Sequence, residues 1–88
     1  MPMDEHARRV TAGVRRALDD YEAGRATVAD IQSAAAGAAG ALDSTNADLR
    51  NALERLDTDL EMIRFTVSAE DEQTAVQGAS ADLRRSLD

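Results

Sequence analysis

The chain contains no cysteine, no tryptophan and no lysine, and only two aromatic residues, Tyr21 and Phe65. Without cysteine there are no disulfides, no thiolate zinc sites and no thiol nucleophiles. No apolar run approaches the roughly 20 residues that a membrane-crossing helix needs, so no membrane partner is expected. The N-terminal Met1-Pro2-Met3-Asp4-Glu5 has neither the basic nor the apolar region of a secretory signal, and the expectation is a cytoplasmic protein. His6 is the single histidine and lies beside Asp4 and Glu5. It reads as a solvated surface residue, with a ligand or base as the alternative. No nucleophile–base pair is present. The glycines fall at helix ends or inside alanine-rich helices, not in a phosphate-cradling loop. The expectation is a protein that is not an enzyme and takes no cofactor. Arginine supplies every positive side chain, which, with the alanine content, we read as codon bias in a GC-rich genome.

What is present is small, acidic and rich in alanine. Eighty-eight residues make one domain, 1–88, with a thin core. The 20 large apolar side chains (Val, Ile, Leu, Met, Phe, Tyr) stand against 18 alanines, and alanine adds helix propensity but little buried area. A second copy or another partner would relieve so marginal a core. The net charge of −7 is unevenly placed: residues 1–25 carry five acids and five arginines, whereas residues 26–88 carry twelve acids and five arginines. That balance argues against nucleic acid, which needs a basic face. It suits solubility, or a basic protein partner drawn in electrostatically.

Four helical segments follow from the periodicity. Ala7, Val10, Val14, Ala17, Leu18 and Tyr21 share one face of a helix from about Asp4 to Ala23, ended by Gly24. Thr27 and Asp30 form a capping-box pattern for a second helix from Val28 to about Leu42, with Val28, Ile31, Ala35, Ala38 and Leu42 inward. Its middle has no large side chain, and Gly37 or Gly40 is a candidate for an early end. Thr45, with Asp48 three residues on, is the next cap. Leu49, Leu53, Leu56, Leu60, Ile63 and Val67 then repeat at 4-3-4-3-4, a heptad stripe. Ser68 opens a last helix holding Val76, Ala79, Leu83 and Leu87. No segment alternates with a period of two. The fold class is all-α: a small antiparallel bundle of three to four helices, three long and the terminal one shorter.

The third helix carries the candidate contact residues. At 100° per residue, Glu54, Asp57 and Glu61 fall on one flank of the leucine stripe. The plain reading of that flank is solvated acids, with Arg50–Glu54 and Glu61–Arg64 as intrahelical pairs. Met62 and Phe65 point roughly opposite the stripe, with Asn51 and Thr58. They form an exposed contact patch, or they are covered by the last helix folding back. Asp19 and Glu22 form a further acidic pair at i and i+3.

Three family resemblances accompany these patterns. The run from Ala17 to Ile31 places a helix ending in an aromatic before a Gly-Arg turn, a capping hydroxyl and an acid. It resembles the first helical turn-around of small helical bacterial immunity proteins of the colicin D type. That resemblance implies an acidic surface that binds and inhibits a basic toxic nuclease. Asp19, Glu22, Glu54 and Asp57, two acids on each of two helices, loosely resemble the all-helical nucleotide pyrophosphohydrolases, a likeness that implies magnesium-dependent hydrolysis. Length, acidity and alanine content are similar to the small secreted helical hairpins of actinobacterial type VII systems, whose Trp-x-Gly turn is absent here. The leading expectation is a non-catalytic helical module that binds a basic protein through Glu54, Asp57, Glu61, Met62 and Phe65. The alternatives are a homo-oligomer sealed along the leucine stripe or the small face of the second helix, and the metal-dependent hydrolase.

Overall fold

The computed structural model describes residues 5–42 and 46–87. Four helices follow in order: α1 (Glu5–Glu22), α2 (Val28–Ala41), α3 (Ala47–Thr66) and α4 (Ala69–Leu87). No strand occurs among the described residues. The fold is a small all-α bundle.

Local chemistry sets the boundaries. Gly24 takes φ +79°, and the chain end of α1 closes with Gly24 N–H donating to Tyr21 (3.0 Å) and Arg25 N–H donating to Asp20 (2.7 Å). This paired reverse bonding needs a left-handed residue after the last turn, which glycine adopts without a Cβ clash. The capping box of α2 is formed. The Asp30 N–H donates to the Thr27 hydroxyl at 3.3 Å, and the Thr27 N–H donates to the Asp30 carboxylate at 2.8 Å. The proposed Thr45 cap lies outside the described residues. At the head of α4 the Ser68 hydroxyl donates to the Asp71 carboxylate at 3.2 Å.

Neither Gly37 nor Gly40 ends α2, which continues to Ala41. Both glycines face solvent, and a Cβ built at either would meet nothing within 4 Å. Gly37→Ala and Gly40→Ala should therefore each stabilise the chain by about 0.5–1 kcal/mol, because alanine restores helix propensity and finds open space. Chemical denaturation midpoints check this, and a destabilised variant at either position would contradict it.

The terminal helix is not the short one. It runs 19 residues, whereas α2 has 14. Gly78, in the middle of α4, sits on the exposed face. Its propensity cost is offset by Val76, Ser80 and Leu83, which are buried against the rest of the chain.

The core gathers Ala7, Val14 and Leu18 of α1, Val28, Ile31, Ala35, Ala38 and Ala39 of α2, and the α3 stripe Leu53, Leu56, Leu60 and Ile63. Leu42, just past α2, closes it. The leucine stripe and Ala35, Ala38 and Ala39 of α2 are thus sealed inside one chain, whereas Ala36, Gly37 and Gly40 stay exposed. Thr11 and Ser80 are buried with them, each donating its hydroxyl to the carbonyl one turn back, Ala7 at 2.7 Å and Val76 at 2.8 Å. Such back-bonding lets a small polar residue take a core position.

Pairing of the ends shows the directions. His6, at the start of α1, lies 3.2 Å from the Ala41 carbonyl at the end of α2. Gln32, early in α2, bonds to Asp57 and Glu61, late in α3. Consecutive helices α1, α2 and α3 therefore run antiparallel. Helix α4 packs on α3 and crosses the end of α1. Glu72 near its start accepts from the Tyr21 hydroxyl at 2.7 Å, and Arg84 near its end donates to Asp19 and Glu22, both at 3.1 Å. These two points are about 18 Å apart along α4 at 1.5 Å per residue, yet both meet the last turn of α1. Helix α4 therefore lies steeply across α1. No described helix is long and apolar enough to cross a membrane.

The Tyr21 contact yields a titration prediction. Burial, then the hydrogen bond and negative charge of Glu72, push the phenol pKa up to about 12. The folded state thus favours the neutral phenol, a contribution fully present below the ordinary pKa of about 10 and lost as pH rises through the folded value. Phenolate absorbance should show the single tyrosine of the chain ionising near 12 while the chain is folded. Tyr21→Phe should remove this component of alkaline unfolding. An inflection at the ordinary value in the folded protein would refute the latch.

Candidate functional site

Helix α3 buries one face only. With the stripe from Leu53 to Ile63 inward, Thr58, Met62 and Phe65 are left on the far side, and α4 does not fold over them. Met62 is 64% exposed and Phe65 76% exposed. The physical reason lies in α4: its apolar face is committed to the core and its polar ends to α1, so its path leads away from the outer side of α3. Of the two readings of this pair, coverage by the last helix is therefore corrected. Asp57, Thr58, Glu61, Met62, Phe65 and Thr66 surround a shallow hollow of about 510 Å³. The Arg64 guanidinium stands 6.0 Å from the centre of the Phe65 ring, the outer limit of a cation–π contact.

The acidic flank is not uniformly solvated. Gln32 reaches across from α2 and is only 8% exposed. Its amide N–H₂ donates to the Asp57 carboxylate (3.1 Å) and the Glu61 carboxylate (2.6 Å), while its carbonyl accepts from Arg64 (2.9 Å). A buried amide needs such partners, and carboxylates are strong ones. Two acids one turn apart are thereby held together at the α2–α3 seam. The Glu61–Arg64 pair is formed at 3.6 Å. The Arg50–Glu54 pair is not formed: among the described residues the Glu54 side chain has no ion-pair or hydrogen-bond partner, and Asp57 has no cationic one. Each carboxylate offers about four acceptor positions, so the flank retains capacity for a cation from outside.

The Gln32 tie is what sequence reading misses. Its signal is present: Val28, Gln32, Ala35, Ala39 and Leu42 repeat at 4-3-4-3 along α2. A glutamine inside that stripe must be buried and must find partners.

The acids of the hydrolase alternative do not converge. Asp19 and Glu22 are bridged by Arg84, Asp57 is tied to Gln32, and Glu54 stands alone. Among the described residues no group of three or more His, Asp or Glu side chains is placed to hold a metal ion. His6, exposed at the start of α1, lies against the end of α2, and among the described residues it belongs to no metal-like cluster.

A basic feature balances the acidic one. Arg8, Arg15, Arg16 and Arg25 border an open trough along α1, beside Leu87 of α4, together with Asp19 and Asp20. Arg25 pairs with Asp20 at 3.3 Å. The i, i+7 spacing of Arg8 and Arg15 announced this clustering, which the neutral sum over residues 1–25 concealed.

No protein-family model matches the chain, and no curated protein or solved structure is significantly similar to it.

Proposed function

We propose that the chain is a non-catalytic binding module that holds a basic protein against the outer face of α3. The observation that carries this reading is the exposure of Met62 and Phe65, side by side one turn apart. A chain with so few large apolar side chains leaves its only phenylalanine in water, which favours a partner over a core role. Aromatic and methionine side chains are enriched at interface centres. Glu54, with no side-chain partner among the described residues, and Asp57, with no cationic one among them, supply the negative charge beside them. Together with a net charge of −7, this favours a basic partner met by electrostatic steering. Inhibition of a basic enzyme in a cytoplasmic setting, as an immunity protein does, is the most concrete form of the proposal.

A two-fold dimer through the same patch is disfavoured. It would bring together two copies that each carry a net charge of −7. A melting temperature that does not rise with protein concentration is the expected result.

The test compares immobilised wild-type protein with Glu54→Arg in lysate of the source organism. One basic protein should be retained by the wild type, released as salt rises, and held weakly by the variant. Equal retention by Glu54→Arg, whose side chain has no fold contact to lose, would overturn the proposal.

A further inference from the structure

The partner-binding hollow beside Met62 and Phe65 is one end of a longer trough. A second hollow lies on the α2–α3 side, with Ala36 and Gly40 on one wall and Arg50, Glu54 and Asp57 on the other. Asp57 and Thr58 border both hollows, so the two adjoin along α3. The α2 side of the second hollow is a row of small residues; α3 carries Arg50, Glu54 and Asp57 along that stretch and, beyond it, Met62 and Phe65, where α3 alone lines the hollow. From Asn51 to Phe65 the trough follows α3 for about 21 Å at 1.5 Å per residue, the length of roughly four helical turns.

Resting on the reading of this face as a partner surface, we propose that its occupant is a single basic amphipathic helix of the partner. Three features of the trough favour that shape. The residues that border the two hollows lie on α2 and α3, with Leu42 just past α2, so no sheet edge is offered to an added strand. Gly40 and Ala36 let a second helix axis approach closely, since the side chains at a crossing set the interaxial distance. The acids Glu54 and Asp57, which form no ion pair among the described residues even with Arg50 in the same hollow, lie about 12 Å, or eight residues, from the Met62–Phe65 pair along the axis. A helix running alongside matches that separation when its cations and its apolar anchors stand seven or eight positions apart, two turns on the same face. Charge complementarity thus fixes both the composition and the spacing of the occupant. Gln32 acts as a positioning residue by holding the Asp57 carboxylate at the seam.

The glycine supplies a test that leaves the fold intact. A side chain at Gly40 enters open space within the chain but fills the trough, whereas Gly37, on the same helix, does not border it. The probes are two synthetic alanine-rich helical peptides of identical composition. One carries two arginines and two leucines two turns apart on one face; in the other the leucines are moved to the opposite face. Each is titrated into the isotope-labelled full chain, and amide shifts report site and affinity. The matched peptide should bind about tenfold or more tightly than the mismatched one, with shifts centred on Gly40, Thr58 and Phe65. Gly40→Gln should weaken it about tenfold, and Gly37→Gln should not. Equal affinity for the two peptides, or undiminished binding by Gly40→Gln, overturns the proposal. The two levels of inference separate on the retained basic protein: if Glu54→Arg loses it but Gly40→Gln keeps it, the helical occupant fails and the α3 surface stands. If Glu54→Arg keeps it as well, the surface itself fails.

Discussion

Leu60→Ala should remove about 2–5 kcal/mol of stability, the range for truncating a buried leucine. Leu60 is fully buried in the α3 stripe, between Leu56 and Ile63 in sequence and among the α2 residues in space. The size of the loss depends on how far neighbours collapse into the vacated volume, and here they are poorly equipped to do so. The alanines buried in the same core, Ala7, Ala35, Ala38 and Ala39, have short side chains that cannot swing into a gap. The cost should therefore sit in the upper part of the range. A chain of this length has a total stability on the order of 4–13 kcal/mol at 0.05–0.15 kcal/mol per residue. At about 4–8 °C per kcal/mol for a domain of this size, the melting temperature should fall by roughly 10–40 °C. Thermal unfolding followed by far-ultraviolet circular dichroism measures this. Leu49→Ala, at the half-buried start of the same stripe, should cost less than half as much. A fall of only a few degrees for Leu60→Ala would mean that the leucine stripe is not the centre of the core.

The same contrast explains what was legible in the sequence. The heptad of α3, the Gly24 stop and the Thr27–Asp30 box are local signals, and each is realised because no tertiary demand opposes it. The length of α4 and the persistence of α2 through Gly37 and Gly40 were not legible from propensity. They depend on docking, which offsets a glycine on the exposed face of an otherwise packed helix. The residues of the candidate surface, Glu54, Asp57, Glu61, Met62 and Phe65, were placed correctly on α3 by the helical wheel. Their exposure was not, because it turns on the path of α4, and that path is set by Tyr21–Glu72 and Arg84 with Asp19 and Glu22. Contacts between residues more than fifty positions apart leave no periodic trace. The division of the acidic flank was hidden for a related reason: the wheel of α3 cannot show that Gln32, on another helix, ties Asp57 and Glu61 and leaves Glu54 alone.

Replacing Met62 and Phe65 together by serine should separate function from fold most sharply. Each side chain is mostly in water, and the core contains neither. The double variant should thus hold its stability to within about 0.5 kcal/mol, the ordinary range for surface changes away from special features. Its hydrophobic transfer cost in the unfolded chain is nearly the same as in the folded one, so little is gained or lost on folding. Binding behaves differently. An exposed Met–Phe pair at the centre of an interface is desolvated only in the complex, and truncating such anchors costs about 2 kcal/mol or more, roughly a 30-fold loss of affinity. Most of that loss should appear as faster dissociation, because the acids that steer the encounter remain in place. Glu54→Arg should do the reverse and slow association more than it speeds dissociation. Kinetics on the captured basic protein, by surface-based binding measurements at two salt concentrations, read both effects. A serine variant that melts many degrees lower would show that the pair belongs to the core after all. One that melts normally and binds as tightly as the wild type would show that its exposure serves no partner.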